Sequence, residues 1–275
     1  MSGRGGGPEE FRRKYGPWAL VAGGSQGLGA CLAAELAARG LNLLLVARRR
    51  EALEASAREL QGSAGVEVRT LSADLAVPSA AHTVQAAAAG LEIGLLVLNA
   101  AAAYTGLFLR SSEAESLRIV DTNCRAGLAL VHRFVPPMVE RRRGGLLLMS
   151  SMAGFQGAPL VTVYGASKAF LMSLGEGLAE ELAPHGVDVL VCVAGATRTP
   201  SYLAGKLPDR GRTAIEMEPE AVARIAVRTL GRKPVVVAGA VNRAVRLLLG
   251  RLLSRRAAVR LMHRGTRNLY RGGER

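Results

Sequence analysis

The sequence has few aromatic residues, few cysteines and few histidines, and each scarcity argues against one class of protein. Aromatic residues make up 4% of the chain, too few for the stacking platforms that bind single-stranded nucleic acids. The three cysteines, Cys31, Cys124 and Cys192, lie far apart, so we expect reduced thiols in a cytoplasmic protein. The four histidines show no metal-ligand spacing with one another or with the cysteines, and we expect no metal site.

Long apolar runs are absent as well. The longest candidate, residues 91–109, is interrupted by Glu92, by Asn99 and by glycine and threonine positions, whereas a membrane span needs about 18 to 20 uninterrupted apolar residues. The chain begins with a glycine-rich polar stretch that lacks the pattern of a secretory signal. We therefore expect a protein that does not cross a bilayer.

Acidic residues are few relative to basic ones. The chain has 36 Lys and Arg residues against 22 Asp and Glu residues, a net charge of +14. Such an excess raises the question of a nucleic-acid or anionic-membrane partner. Residues 242–275 hold ten arginines and one acid, Glu274, so this tail carries +9 and the rest of the chain carries +5. The excess is a property of the tail, and we expect no nucleic-acid partner.

The composition, 49% hydrophobic and 21% charged, is enough for one substantial core. Short apolar runs alternate with helix-length segments rich in alanine and leucine, a pattern typical of a parallel sheet covered by helices on both faces. The predicted fold is α/β, a single doubly wound Rossmann domain with a mostly parallel sheet. We assign residues 1–16 to a flexible leader, 17–240 to this domain, and 241–275 to a basic amphipathic helical extension. The predicted strands are residues 19–22, 41–47, 66–72, 95–99, 145–150, 187–193 and 234–238.

A glycine-rich turn follows the first predicted strand. Glycines at a strand-to-helix turn let the backbone approach a pyrophosphate, which the free N–H groups at the helix N-terminus then bind. Such a string also occurs in plain turns, but its position before the first helix of a long α/β alternation favours a dinucleotide site. The predicted cofactor contacts in this turn are Gly23, Ser25, Gln26, Gly27, Leu28 and Gly29.

The second predicted strand is followed by Arg48, Arg49 and Arg50, with no carboxylate before Glu51. Folds that select NAD place an acid here for the ribose 2′-hydroxyl, whereas an arginine suits a 2′-phosphate. We therefore expect NADP(H) rather than NAD(H), with Arg48 as the phosphate ligand. The alternative is that the three arginines only begin a solvated helix.

Asp74 and Leu75 follow the third predicted strand. We expect them on the adenine side of the cofactor, with Asp74 accepting a hydrogen bond from the adenine amino group. A helix-capping role for Asp74 is the alternative.

Tyr164 and Lys168 stand four residues apart in a segment of helical length, so the phenol and the ammonium lie on one helix face. A fixed cation beside a phenol favours the phenolate and brings acid–base chemistry nearer to neutral pH. Ser151 comes thirteen residues earlier, at the end of a predicted buried strand. Ligands of open α/β sheets bind at such strand ends.

These residues resemble the short-chain dehydrogenase/reductase family over roughly residues 18–240. The family's T-G-x-x-x-G-x-G turn is matched by Ala22, Gly23, Gly27 and Gly29, and its catalytic serine, tyrosine and lysine by Ser151, Tyr164 and Lys168. The family's helix asparagine, which supports a water in a proton relay, is matched by Asn123. Departures are Ala22 for threonine, Ala101 for a glycine near the cofactor, and Ala194 for a proline.

The resemblance implies hydride transfer between a nicotinamide and a carbon that carries oxygen. Tyr164 would act as general acid or base, Lys168 would hold the nicotinamide ribose, and Ser151 would bind the substrate oxygen. It also implies a homodimer or homotetramer that pairs through the helices carrying Asn123 and Tyr164. Further implied cofactor contacts are Asn99, Tyr164, Lys168, Gly195, Thr197 and Thr199.

The loop of residues 194–217 is long for an ordinary connection, and we expect it to cover the substrate. Its apolar candidates for the inner face are Tyr202, Leu203 and Met217, with Tyr202 as the predicted substrate contact. We expect a ketone or secondary alcohol of lipid, acyl or steroid type. The alternative function is a non-catalytic, NADP(H)-binding regulatory protein of the same fold.

The tail has an amphipathic pattern. Val241, Val245, Leu248 and Leu252 recur at three- or four-residue spacing, and Arg256, Arg260, Arg264, Arg267 and Arg271 form a basic ridge. One interpretation is peripheral contact of residues 241–275 with an anionic membrane. The other is a helix packed on its own subunit or on a partner, with a solvated arginine face.

Overall fold

A seven-stranded parallel sheet forms the centre of the protein. The computed structural model describes residues 7–205, 216–248 and 253–269. The strand order is β3-β2-β1-β4-β5-β6-β7, with every pair parallel. The strands are β1 (Trp18–Ala22), β2 (Asn42–Ala47), β3 (Val68–Ser72), β4 (Ile93–Leu98), β5 (Gly144–Ser151), β6 (Val187–Ala194) and β7 (Val235–Val237).

Helices cover both faces of this sheet. The described helices are α1 (Pro8–Tyr15), α2 (Gly27–Ala37), α3 (Arg50–Ala64), α4 (Ala80–Ala87), α5 (Glu113–Val120), α6 (Ala126–Glu140), α7 (Thr162–Leu182), α8 (Pro200–Gly205), α9 (Pro219–Thr229), α10 (Ala240–Leu247) and α11 (Arg255–Leu269). One apolar core joins the sheet to α4, α6 and α7, and a second joins it to α2, α3 and α9. Within the described residues, no helix is long and apolar enough to cross a membrane.

The predicted doubly wound fold is confirmed, and the strand order explains where ligands bind. The chain leaves β1 toward β2 on one side and later reaches β4 on the other side of β1. In an open α/β sheet, this reversal creates a crevice at the carboxyl ends of the strands. The pattern of the sequence predicts helices over both faces of the sheet. The edge strand β3 departs from this prediction, because its side chains Arg69 and Thr70 are exposed. A strand at the edge of a sheet has only one neighbour to cover it.

The structure corrects the predicted flexible leader. Residues 8–15 form α1, which begins with a proline at its first turn and two acids that suit a helix N-terminus. Tyr15 is buried, and its hydroxyl donates to Asp188 Oδ2 at 2.5 Å. Lys14 pairs with the same carboxylate. These contacts anchor the segment beside β6; residues 1–6 lie outside the described residues.

Candidate active site

A cleft of about 490 Å³ lies at the carboxyl ends of the strands. It brings together residues that are up to 243 positions apart in the sequence, from Gly23 to Thr266. Most of the predicted site residues line it, as expected for side chains and turns at one edge of a parallel sheet. The predicted residues that line the cleft are Gly23, Ser25, Gln26, Gly27, Leu28, Arg48, Asp74, Leu75, Asn99, Ser151, Tyr164, Lys168, Gly195, Thr197, Thr199 and Tyr202.

The glycine turn can exist only with glycine at two of its positions. Gly23 has φ +87°, and a Cβ there would lie 2.6 Å from the backbone nitrogen of Ala100. A Cβ at Gly29 would lie 1.7 Å from the carbonyl oxygen of Gly23. Gly29 therefore packs closely against the turn and is not among the residues that line the cleft, and its role as a cofactor contact stays a prediction. The turn between β1 and α2 offers its backbone N–H groups to an anion at the N-terminus of α2.

The segment after β4 holds the turn in place despite its departures from the family pattern. Asn99 Nδ2 donates to the Gly23 carbonyl at 2.8 Å. The backbone nitrogen of Ala100 donates to the Ala22 carbonyl at 2.6 Å. Among the non-glycine residues described, positive φ occurs at Arg142 and Leu160, so Ala101 adopts an ordinary backbone conformation. The alanine at this position therefore brings no backbone strain.

Two arginines and one aspartate form the end of the cleft beside β2 and β3. Arg48 and Arg49 line it, and Arg49 donates to the Gln26 side chain. Asp74 accepts from the backbone nitrogen of Ala76 at 3.0 Å and from Arg118 at 2.8 Å. Burial alone would raise the pKa of Asp74, but these hydrogen bonds and the positive charges of Arg118 and Arg48 hold that pKa below its ordinary value. This end of the cleft suits a ligand that has an anionic group for the arginines and, next to it, a hydrogen-bond donor for Asp74.

Tyr164 and Lys168 lie one turn apart on α7, and both line the cleft. The Lys168 nitrogen lies 5.6 Å from the centroid of the Tyr164 ring and donates to the Met149 carbonyl at 2.9 Å. Burial lowers the pKa of Lys168 to about 8. A buried ammonium with few polar partners is poorly stabilised. A ligand that brings hydroxyl oxygens as hydrogen-bond acceptors would therefore bind well beside Lys168.

Ser151 ends β5 at the same wall. Its Oγ accepts a hydrogen bond from the backbone nitrogen of Ala153 at 3.3 Å, which leaves the hydroxyl hydrogen to donate elsewhere. The preceding Ser150 is buried and donates to the Lys168 carbonyl at 2.8 Å. The strand end is thereby fixed to α7, and the serine, tyrosine and lysine are held on one rigid unit.

Asn123 lies behind the cleft wall rather than in it. The sequence predicts one helix through residues 113–139; a π-helical turn over Asp121–Arg125 separates α5 from α6 there. Asn123 is 2% exposed and exchanges two hydrogen bonds with the Ala102 backbone, at 2.7 and 2.9 Å. It also donates to Ser167 Oγ at 2.8 Å. Its amide thus joins the loop after β4 to α7, and support of a relay water stays a prediction.

The segment after β6 forms the wall opposite the glycine turn. Thr197 Oγ1 donates to the Gly195 carbonyl at 3.1 Å, and Thr199 Oγ1 caps the first turn of α8 by accepting from the Tyr202 nitrogen at 3.3 Å. The Tyr202 hydroxyl donates to Glu216 at 3.2 Å. A Cβ at Gly195 would lie 2.4 Å from the amide nitrogen of Asn242. Gly195 therefore lets α10 approach the end of β6.

The predicted inner face of the covering loop is only partly right. Tyr202 lines the cleft, whereas Leu203 is exposed and Met217 packs on the core between the sheet and α9. Met217 is drawn inward because it bridges to Thr197 in a parallel pair. Residues 206–215, which belong to the same predicted loop, lie outside the described residues.

Helix α11 contributes two cleft residues that sequence reasoning missed. Met262 and Thr266, one turn apart, line the cleft. Ala258 is 2% exposed and Thr266 is 5% exposed, and a Cβ at Gly157 would lie 3.4 Å from Val259. The described part of the tail therefore forms two helices, the second packed on its own subunit. The four-residue spacing of Ala258, Met262 and Thr266, opposite the arginines, indicates a buried face of α11. The spacing does not indicate which part of the protein this face packs against.

No group of three or more His, Cys, Asp or Glu residues suited to a metal ion occurs in the part of the chain that the structure describes. The chemistry of the cleft is that of a phenol, an ammonium, a hydroxyl and backbone N–H groups.

The chain is similar to known proteins in sequence and in fold. A family model described as short chain dehydrogenase matches residues 17–204. The chain is 36% identical over 233 residues to the 7beta-hydroxysteroid dehydrogenase of Clostridium sardiniense, covering 85% of this chain and 89% of that protein. The solved structure of a 7beta-hydroxysteroid dehydrogenase matches with a TM-score of 0.87 at 32% identity, over 92% of this chain and 98% of that chain. A short-chain dehydrogenase from Sphingobium yanoikuyae in complex with NADPH matches with a TM-score of 0.72 at 31% identity, over 81% of this chain and 87% of that chain. The chain therefore belongs to the short-chain dehydrogenase family and is an oxidoreductase of CH–OH and C=O groups.

Proposed function

We propose that the protein is an NADP(H)-dependent oxidoreductase that interconverts an apolar ketone and its secondary alcohol. The observation that carries this proposal is the common wall formed by Ser151, Tyr164 and Lys168, facing a glycine turn whose α-carbons leave no room for side chains. The turn fits a pyrophosphate. The buried Lys168 amine fits the hydroxyls of a ribose. When bound, the nicotinamide supplies a hydride to the carbonyl carbon or accepts one from the alcohol carbon.

The residues of this chain supply the proton and the positioning. Tyr164 donates its phenolic proton to the substrate oxygen during reduction and takes it back during oxidation. Ser151 donates its hydroxyl hydrogen to the same oxygen and so orients the substrate. The charge of Lys168, 5.6 Å from the ring, stabilises the phenolate that remains. Asn123 keeps the loop after β4 in register with α7 through its three hydrogen bonds.

Arg48 supports the choice of NADP(H) over NAD(H). It lines the cleft just after β2, where a dinucleotide fold presents the adenine ribose. The carboxylate nearby, Asp74, is already paired with Arg118 and lies after β3 rather than β2. An arginine at this point forms charge-assisted hydrogen bonds to a 2′-phosphate, which NAD(H) lacks. The NADPH complex of the Sphingobium relative agrees with this preference.

The substrate side of the cleft is largely apolar, which supports a lipid-, acyl- or steroid-like substrate. Its wall includes Met152, Val161, Tyr202 and Met262. Two of the matched proteins are hydroxysteroid dehydrogenases. We expect a cytoplasmic homodimer or homotetramer that pairs through the helices around Asn123 and Tyr164, and exposed apolar side chains at Leu117, Val120 and Phe170 support this pairing.

A panel of hydroxysteroids, 3-oxoacyl esters and bulky ketones, assayed with NADPH and with NADH by cofactor absorbance, tests the proposal. Turnover of an apolar substrate with NADPH, at a much lower KM for NADPH than for NADH, is the expected result. Tight NADPH binding without turnover of any member would favour the non-catalytic regulatory protein. Preference for NADH would overturn the cofactor assignment.

A further inference from the structure

Helix α10 has its polar side on the protein and its apolar side in solvent. Asn242 faces inward, where its amide donates to the Ala238 carbonyl at 2.7 Å and lies 3.8 Å from the Met217 sulfur. The guanidinium of Arg246 lies 5.0 Å from the centre of the Phe155 ring. An amphipathic helix on the surface of a soluble domain has the opposite orientation, with its apolar stripe toward the core.

The exposed stripe of α10 consists of Val241, Val245 and Leu248. These side chains are 42%, 37% and 41% exposed, and their spacing of four and three residues puts them on one face. Leu247, on another face of the helix, is also exposed. Single exposed apolar residues need no explanation, but a contiguous stripe marks an interaction surface.

The charged side chains of α10 and α11 are uniformly positive. The described arginines of α10 and α11 are Arg243, Arg246, Arg255, Arg256, Arg260, Arg264 and Arg267, all exposed. No Asp or Glu occurs from residue 241 to residue 269. On α11, Arg256, Arg260 and Arg264 lie on the side away from Met262, which lines the cleft. Because these two helices contain no acidic residue, an isologous contact between them would bring like charges together, and the surface fits an anionic partner.

The stripe also lies next to the cleft. Asn242, on the inner side of α10, contacts Gly195 in the cleft wall. Phe155, under Arg246, belongs to the segment between Ser151 and Tyr164. A surface that covers the α10 stripe would therefore stand beside the cleft.

We propose that α10 and the arginine face of α11 dock the protein on the surface of an anionic lipid bilayer. Val241, Val245 and Leu248 enter the boundary between headgroups and acyl chains, and the arginines contact lipid phosphates. Docking leaves the chain peripheral to the bilayer. This association does not depend on NADP(H) or on turnover.

Co-sedimentation of the full chain with vesicles tests this docking. Vesicles of phosphatidylcholine alone are compared with vesicles of equal parts phosphatidylcholine and phosphatidylglycerol. We expect binding to the anionic vesicles that weakens as salt is added, and little binding to the neutral ones. A triple variant, Val241→Ser, Val245→Ser and Leu248→Ser, should bind at least roughly tenfold more weakly.

A matched control, Val77→Ser, Leu107→Ser and Leu109→Ser, removes three exposed apolar side chains elsewhere and should bind like the wild type. Replacing Arg256, Arg260 and Arg264 by Gln should weaken binding to anionic vesicles roughly a hundredfold, since each arginine near such a surface contributes about fivefold. Thermal melting checks that the variants fold.

Three outcomes would overturn the proposal. The first is no binding to anionic vesicles at low salt. The second is wild-type binding by the α10 triple variant. The third is a change in oligomeric state of that variant, measured by light scattering, with unchanged vesicle binding, which would assign the stripe to a second copy.

Discussion

The ammonium nitrogen of Lys168 lies 5.6 Å from the centroid of the Tyr164 ring, and burial lowers the pKa of this lysine to about 8. The two residues are one helical turn apart, so their relative position is set by the geometry of α7. The lysine donates to the Met149 carbonyl at the same time. The phenol of Tyr164 is thus paired with a cation whose position is fixed both by α7 and by the hydrogen bond to Met149.

Tyr164→Phe removes the proton donor and keeps the ring. We expect kcat to fall about a hundredfold to ten-thousandfold, the usual contribution of a general acid. The dissociation constant for NADPH, measured by fluorescence, should stay within about twofold of the wild type. Tyr104→Phe is the matched control, because Tyr104 lies outside the cleft and its variant should retain full turnover. Wild-type turnover by Tyr164→Phe would exclude the assigned role.

Arg48→Gln removes the proposed ligand of the 2′-phosphate. The loss of a charge-assisted hydrogen bond, about 1.5–3 kcal/mol, should raise the dissociation constant for NADPH roughly tenfold to hundredfold. NADH binding should not change, since NADH has no 2′-phosphate. Arg50→Gln, in the first turn of α3 and outside the cleft, should leave both constants unchanged. Equal effects on the two cofactors would contradict the role of Arg48.

The lowered pKa of Lys168 predicts a pH dependence of stability. The folded chain releases this proton near pH 8, whereas the unfolded chain holds it to about pH 10.5. Below pH 8 both states are charged, and the folded state bears the full cost of burying the charge. Stability therefore rises with pH between these values, because the unfolded state then binds more protons. Relative to Lys168→Met, the wild type should gain about 2 kcal/mol in unfolding free energy from pH 8 to about pH 9.5.

The quantity to follow is the difference in unfolding free energy between the wild type and Lys168→Met, because other groups also titrate between pH 8 and about pH 9.5. Burial raises the pKa of Cys31 and of Cys192 to about 12, and both contributions are present in the wild type and in Lys168→Met. Urea unfolding at several pH values gives the difference directly. A difference that stays flat with pH would show that Lys168 has an ordinary pKa.

Gly29→Ala places a methyl group against the Gly23 carbonyl. The turn must shift to relieve this overlap, so we expect a loss of about 1–3 kcal/mol in unfolding free energy and an NADPH dissociation constant raised by roughly tenfold or more. Gly62→Ala is the control, because nothing lies within 4 Å of a Cβ at Gly62 in α3. That substitution should stabilise the protein by about 0.5–1 kcal/mol. Unchanged NADPH binding by Gly29→Ala would show that the turn does not hold the cofactor.

Met262→Ala shortens one side chain of the cleft wall on α11. We expect KM for an apolar substrate to rise roughly tenfold, in line with the loss of about 1–3 kcal/mol of buried apolar contact, with the NADPH dissociation constant unchanged. Met138→Ala also truncates a methionine, but in the core away from the cleft; it should lower stability and leave KM alone. Steady-state kinetics on the substrate found by the panel measures both. No change in KM would place Met262 outside the substrate path.

Much of the fold was predictable because the buried strands are continuous apolar runs and the glycine turn of the cleft directly follows β1. Tyr164 and Lys168 were predictable for a similar reason, since a spacing of four residues fixes the geometry of two side chains on a helix. The packing of Met262 against the cleft was not, because periodicity identifies the inner face of a helix and not the surface that it covers. Helix α1 was missed because Tyr15 is held by Asp188, a partner 173 residues away.

The wall that α11 adds to the cleft lies beyond residue 204, where the match to the family model ends. The groups proposed for chemistry and for cofactor binding lie before that point. The part of the substrate wall that α11 supplies is therefore encoded separately from the reaction machinery, whereas Met152, Val161 and Tyr202 of the same wall lie within the matched residues. Exchanging residues 253–269 for a foreign segment would therefore alter one side of the substrate wall and leave the residues proposed for chemistry and cofactor binding in place.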